Sequence, residues 1–413
     1  MAWPVSSSAA RRIAAALLFP AWVAIASFAL LEILLFASRP LWDDARALPP
    51  AGHGMPSQER YWCYRYDPVT GYAGLPDVRW LAPWGTVVTQ NARGERGPDV
   101  PRARGASPRV VLLGDSQTWG FGVGDDETLG ARLAEALGRL GHPGTEVVNL
   151  GTSGYGIDQS VLAWAVRGQD YAPDVVVFTF FAKNDLEETA SVRSHGVAKP
   201  VFVRRDGGLC LANVPVPRAE GWPDVDLGSR VVRALAGCCG RTSADLAGRT
   251  NLVRFLHGRV GVRDWRAEYE AELARVREIF PCVAAEVDGS PGGEDVGREL
   301  LATLARSLAP RARLVVLAVP TSVDLSAGRR SESYAGFLAA LRDDGILVVD
   351  PFEALLPAFA LGRAIGHAAP GDDHLSAEGT AIAAGLLAER VAPLLAPPVD
   401  GGSFPTAPGV EGP

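Results

Sequence analysis

The feature that most constrains this chain is an alternation of short apolar runs with stretches that carry apolar residues at helical spacing. The runs are Val110 to Leu113, Val147 to Leu150, Val175 to Phe181, Leu314 to Val319 and Ile346 to Val349. Such runs suit strands covered on both faces. Leu129, Leu133, Leu137 and Leu140 follow the first run at helical spacing, with Asp126 the expected N-cap. Ile382, Leu386, Leu387, Val391 and Leu394 mark a closing helix. Strands alternating with helices imply an α/β fold with a parallel sheet and right-handed crossovers.

The rhythm breaks between Leu186 and Pro310. There Val201 to Leu211 reads as a hairpin turning at Asp206-Gly207-Gly208, and Trp265 to Phe280 as a helix. This is a large insertion after the third strand, spanning about residues 187–310 within a main domain of 109–395. Residues 38–108 hold a linker and then, from Tyr61 to Val100, a small β-containing segment with runs such as Gly85-Thr86-Val87-Val88-Thr89. The Pro/Gly-rich tail, 396–413, is expected to be disordered.

Residues 1–37 contain an apolar stretch, Ile13 to Phe36, interrupted by Pro20 and Glu32. It is long enough to cross a bilayer, and Arg11 and Arg12 before it favour a cytoplasmic N-terminus. A membrane anchor is expected, with a cleaved signal peptide as the alternative. The net charge of -7 comes with no basic block, so a nucleic-acid partner is not expected. The five cysteines (Cys63, Cys210, Cys238, Cys239 and Cys282) fit no zinc spacing and the chain has only six histidines. No metal or other cofactor is expected. Disulfides and small buried side chains are both open readings for the cysteines.

Four short segments carry the chemistry: Gly114-Asp115-Ser116, Gly151-Thr152-Ser153-Gly154, Asn184-Asp185 and Asp372-Asp373-His374. The first three follow apolar runs directly, and the fourth precedes the closing helix. In an open parallel sheet, ligands bind beyond the carboxyl ends of the strands. A serine hydroxyl there is a poor nucleophile without a base, and His374 can serve Ser116. A carboxylate must orient the imidazole. Successive side chains alternate in an extended loop, so Asp372 shares a face with His374, while Asp373 is expected to face solvent or help the loop turn. Acyl transfer also needs donors for a developing oxyanion. The Ser116 N–H, the Gly154 N–H and the Asn184 amide can supply them. Ser153 is a rival nucleophile without a nearby base. The Gly-x-Ser-x-Gly elbow is absent at Ser116, because Gly120 comes too late.

At these residues the chain resembles the SGNH (GDSL-type) hydrolase superfamily. Gly114-Asp115-Ser116 matches its first block and makes Ser116 the implied nucleophile. Asn149-Leu150-Gly151-Thr152-Ser153-Gly154 matches the second, with Gly154 the implied oxyanion donor. Ala182-Lys183-Asn184-Asp185 matches the third, with Ala in place of the usual Gly, and implies the same role for Asn184. The last block usually reads Asp-x-x-His. Here Gly371 stands three residues before His374, so the acid is Asp372 or Asp373, and a shorter Asp-x-His variant favours Asp372. Upstream, Gly71-Tyr72 and Asn91 to Gly97 resemble membrane-anchored bacterial members. The resemblance implies a flavodoxin-like three-layer sandwich around a central five-stranded parallel sheet. It also implies a serine esterase on the outer side of a bacterial inner membrane, acting on O-acylated surface or cell-wall saccharide. A polysaccharide O-acyltransferase is the nearest alternative. A non-catalytic polysaccharide-binding domain is an alternative of another class. The sequence sets no oligomeric state.

Overall fold

The computed structural model describes residues 23, 26–34, 63–76, 78–82, 84–194, 196–217, 265–284, 287, 292–366 and 372–395. One parallel sheet organises them. Its strands are β1 (Arg109–Gly114), β2 (Glu146–Asn149), β3 (Val175–Phe181), β4 (Arg313–Val319) and β5 (Leu347–Val349). Their spatial order is β5-β4-β3-β1-β2. In register, Val110 lies opposite Val147 on one side and Val175 on the other. Val176 then lies opposite Leu314, and Val315 opposite Leu347.

The apolar runs are continuous because both faces of the sheet are covered. The main helices are α1 (Leu129–Arg139), α2 (Ile157–Val166), α3 (Trp265–Ile279), α4 (Glu294–Leu308), α5 (Glu332–Asp343) and α6 (Ala377–Leu395). Val111, Leu113, Val176, Phe178 and Val316 point into one core with α2, α4 and α5. Val110, Leu112, Val175, Val177 and Val315 point into the other with α1 and α6. This is an α/β three-layer sandwich of the flavodoxin-like kind, as expected. Chain order reverses direction between β1 and β3, so the crevice beyond their carboxyl ends is the natural place for a ligand.

The cap of α1 differs from expectation. Asp125–Glu127 forms a 3-10 turn, so the helix starts later and Thr128 caps it, its hydroxyl accepting from Ala131 N at 3.2 Å. Leu140 lies beyond the helix end and is exposed. In the region after β3, Val201–Arg205 pairs with Gly208–Ala212. Both loop residues, Asp206 and Gly207, have positive φ (51° and 81°), as a two-residue type I′ hairpin requires. A disulfide joins Cys210 to Cys282, tying this hairpin to the segment after α3. Helix α4 packs its Leu300, Leu301, Leu304 and Leu308 into the sheet's core.

Upstream of the sheet, Tyr64–Asp67 pairs with Gly71–Gly74 and Val78–Leu81 with Val87–Gln90, both antiparallel. Of the expected anchor, 26–34 is helical; the rest of Ile13 to Phe36, apart from residue 23, lies outside the described residues. So do Cys238, Cys239 and the 396–413 tail. Among the described residues, no helix is long and apolar enough to cross a membrane.

Candidate active site

Strand β1 delivers Ser116 through a sharp turn. Gly114 ends the strand at φ 143°, and a Cβ there would stand 2.4 Å from the Thr118 hydroxyl. The next residues form a single helical turn, Ser116–Trp119, capped at both ends. Asp115 accepts from Gln117 N at 2.9 Å, and Gly120, in the left-handed region, donates its N–H to Ser116 O at 2.9 Å. As the first residue of the turn, Ser116 has an N–H with no intrahelical acceptor.

The loop before α6 brings His374 to this turn. Its Nε2 lies 2.6 Å from Ser116 Oγ, and its Nδ1 lies 2.6 Å from Asp372 Oδ1. Asp372 Oδ1 also accepts from His374 N at 2.9 Å, so one carboxylate oxygen fixes both ring and backbone. The Asp372 side chain is 1 % exposed and that of His374 21 % exposed. The imidazole therefore keeps an open edge while its orienting group is shielded from water. Phe121 packs on the ring with centroids 4.5 Å apart, and Trp84 packs on Phe121 at 4.5 Å.

Asp373 does not face solvent as expected. It is buried, and its carboxylate pairs with Lys183 Nζ at 2.7 Å, just beyond β3. The loop thus uses both aspartates, one on the imidazole and one on the neighbouring strand end.

The other two strand ends close on the same place. Asn149, at the end of β2, donates its side-chain amide to Thr118 O at 2.7 Å, and Thr152 N donates to Gly114 O at 3.0 Å. These bonds set the Gly151–Gly154 loop beside the serine's turn. Gly154 has φ 78°, a conformation that favours glycine. Ser153 is buried, its N–H donating to Tyr64 Oη at 3.3 Å and its carbonyl accepting from Tyr72 Oη at 2.9 Å. Ser194 Oγ donates to Gly154 O at 2.7 Å. From β3, the Asn184 amide hydrogen-bonds the Asp115 carboxylate. Burial pushes the Asp115 carboxyl above the usual carboxylate range, and a charge on His374 pulls it back.

Residues outside the four segments complete the site. Arg96 is fully buried and donates to the carbonyls of Trp119, Gly120 and Val123 while pairing with Asp125 at 3.2 Å. The segment upstream of the sheet therefore holds both the serine's turn, through Arg96, and the glycine loop, through Tyr64 and Tyr72. The chain has just two lysines, Lys183 and Lys199, and both are engaged here. Lys183 braces Asp373, and Lys199 forms a fully buried pair with Asp158 at 2.6 Å.

No family model matches the chain, and no curated protein does. The solved structures similar to it include GDSL-type lipases, acylhydrolases and acetylxylan esterases. A lipase/acylhydrolase from Enterococcus faecalis is 13% identical with a TM-score of 0.35, over 69% of this chain and 95% of that one. A catalytic mutant of an acetylxylan esterase from Geobacillus stearothermophilus is 14% identical with a TM-score of 0.35, over 70% and 95%. A member of the lipolytic G-D-S-L family from Veillonella parvula is 11% identical with a TM-score of 0.32, over 68% and 97%. At identities and scores this low, the similarity carries no weight for the chemistry, which rests on the side chains themselves.

Proposed function

We propose that the chain is a serine ester hydrolase working through an acyl-Ser116 intermediate. One observation carries the reading. Ser116, His374 and Asp372 form a continuous relay with both links at 2.6 Å, although about the whole catalytic domain separates serine from histidine in the chain.

In the first half-reaction, Ser116 Oγ attacks the ester carbonyl carbon and its proton passes to His374 Nε2. Asp372 accepts from Nδ1–H, holds the tautomer and stabilises the imidazolium. The carbonyl oxygen, now an oxyanion, takes hydrogen bonds from Ser116 N, Gly154 N and the Asn184 amide. An amide nitrogen carries two hydrogens. Asp115 takes one and orients the group, leaving the second for the oxyanion. The ester C–O bond then breaks, and His374 gives its proton to the departing alcohol. In the second half, water attacks the acyl-serine, His374 takes a proton from it, and the carboxylic acid leaves as Ser116 Oγ is reprotonated.

The substrate in this reading is an O-acylated surface or cell-wall saccharide outside the cytoplasm, reached by a domain tethered through the N-terminal helix. Two observations support it. Phe121 packs against His374 and Trp84 against Phe121, so aromatic side chains of the kind that pack on apolar sugar faces stand next to the base. The Cys210–Cys282 bond suits an oxidising compartment.

The test is release of acetate from acetylated saccharide, and turnover of a short-chain activated ester, by the soluble domain. Ser116→Ala is expected to remove nearly all of both activities. Ester turnover that survives Ser116→Ala would sink the proposal. Acetate appearing on an added saccharide acceptor instead of in water would make the protein a transferase with the same first half-reaction.

A further inference from the structure

The serine's own turn also holds the histidine's backbone. Gln117 follows Ser116 directly, and its side chain is buried against the loop that carries His374. Its Nε2 donates to the Asp373 carbonyl at 3.2 Å. Its Oε1 accepts from the Leu375 N–H at 3.2 Å. In an extended segment, the carbonyl before a residue and the N–H after it point to the same side. A primary amide offers one donor and one acceptor side by side, so it matches that pair. On the opposite side, His374 N donates to Asp372 Oδ1 at 2.9 Å and His374 O accepts from Gly366 N at 2.7 Å. All four backbone polar groups around His374 are therefore paired, two of them by one side chain from the serine's turn.

We infer that Gln117 is a positioning residue that sets the approach of His374 to Ser116. This rests on the esterase reading above. The amide touches no reacting atom. It ties the two peptide units flanking the base to the turn that presents the nucleophile, so turn and loop keep one register. Gln117 N also donates to Asp115 at 2.9 Å, which fixes the residue from its backbone side.

The experiment uses Gln117→Met, which keeps volume and loses both bonds, and Gln117→Glu. The latter keeps the acceptor for Leu375 N but meets the Asp373 carbonyl with a carboxylate. Wild type and variants are compared for kcat and KM on a small activated ester, for the rate of fluorophosphonate labelling at Ser116, and for the fraction of sites that titrate. A base displaced by a fraction of an ångström to an ångström costs up to about 10²-fold. Gln117→Met is therefore expected to lose roughly 10- to 10²-fold in kcat per titrated site, with KM within about twofold and labelling slowed in the same ratio. For Gln117→Glu, kcat relative to wild type is expected to rise as pH falls, because a protonated carboxyl can donate to the Asp373 carbonyl again. If Gln117→Met fails to fold, that pH ratio decides alone. A pH-independent ratio for Gln117→Glu, or wild-type kcat and labelling in folded Gln117→Met, overturns the inference. So does a loss that vanishes once rates are referred to titrated sites. If wild type itself neither turns over ester nor labels at Ser116, the esterase reading fails first, and the positioning role falls with it.

Discussion

The turn that carries Ser116 and the loop that carries His374 meet within one hydrogen bond, yet they are held differently. The turn takes its bend and its caps from its neighbours in sequence, and Arg96 and Asn149 brace its carbonyls. Gly114 allows the bend, Asp115 caps one end and Gly120 the other. The loop is held mainly from a distance: Gln117 grips its backbone and Lys183 its Asp373 carboxylate, across about 190 to 260 residues of chain. Local capping can present a nucleophile. Placing a base against it takes long-range polar contacts, whose loss should cost rate more than stability.

The largest expected effect separates the two aspartates of the loop. Asp372→Asn removes the charge that steadies the imidazolium and lets the ring take the wrong tautomer. It should lower kcat by about 10³–10⁴-fold. Asp373→Asn loses only the partly exposed link to Lys183 and should cost less than about tenfold. Steady-state kinetics on both variants, with circular dichroism to confirm folding, make the comparison. A reversed order would move the orienting role to Asp373.

Next in size is an oxyanion donor from the end of β3. Asn184→Ala should lower kcat by about 10²–10³-fold, as loss of one oxyanion donor does. Ser116 should still label, more slowly. An unchanged kcat would remove Asn184 from the oxyanion site.

These contrasts mirror what the sequence made legible. Each strand was visible as an apolar run because both sheet faces are buried, and Ser116, Gly154 and Asn184 stood at run ends by simple adjacency. Alternation of side chains along the loop puts Asp372 on the face of His374, and its carboxylate oxygen lies against the imidazole. The roles of Gln117 and Lys183 were not legible, because nothing near either residue announces a partner that far away. Tyr64 and Tyr72 hold the Ser153 backbone by their hydroxyls, and in sequence they read only as aromatic residues of a small β segment. Thr128 and not Asp126 caps α1 because the 3-10 turn at Asp125–Glu127 delays the start of the helix.

The smallest effect concerns a neighbour of the glycine loop. Burial pushes the Glu188 carboxyl up to about 7, while the charge on Lys199 pulls it down. Its ordinary value is 4.5, so below that pH folded and unfolded chains are both protonated and nothing is lost. Between about 4.5 and 7 the unfolded chain releases the proton first, and stability falls as pH rises. Glu188→Gln removes that titration. Its Tm should equal the wild-type value near the acid end of this window and exceed it by a few degrees at its alkaline end and above. A pH-independent difference in Tm would show that Glu188 ionises normally in the folded protein.

His374 activates Ser116 across the gap between turn and loop. The direct measurement is covalent labelling by a fluorophosphonate, with the modified residue located by peptide mass spectrometry in wild type, Ser116→Ala and His374→Ala. Stoichiometric modification of Ser116 is expected in wild type, none in Ser116→Ala, and a rate lowered by about 10³-fold or more in folded His374→Ala. Modification of a different serine, or labelling of Ser116 at the wild-type rate without His374, would contradict it.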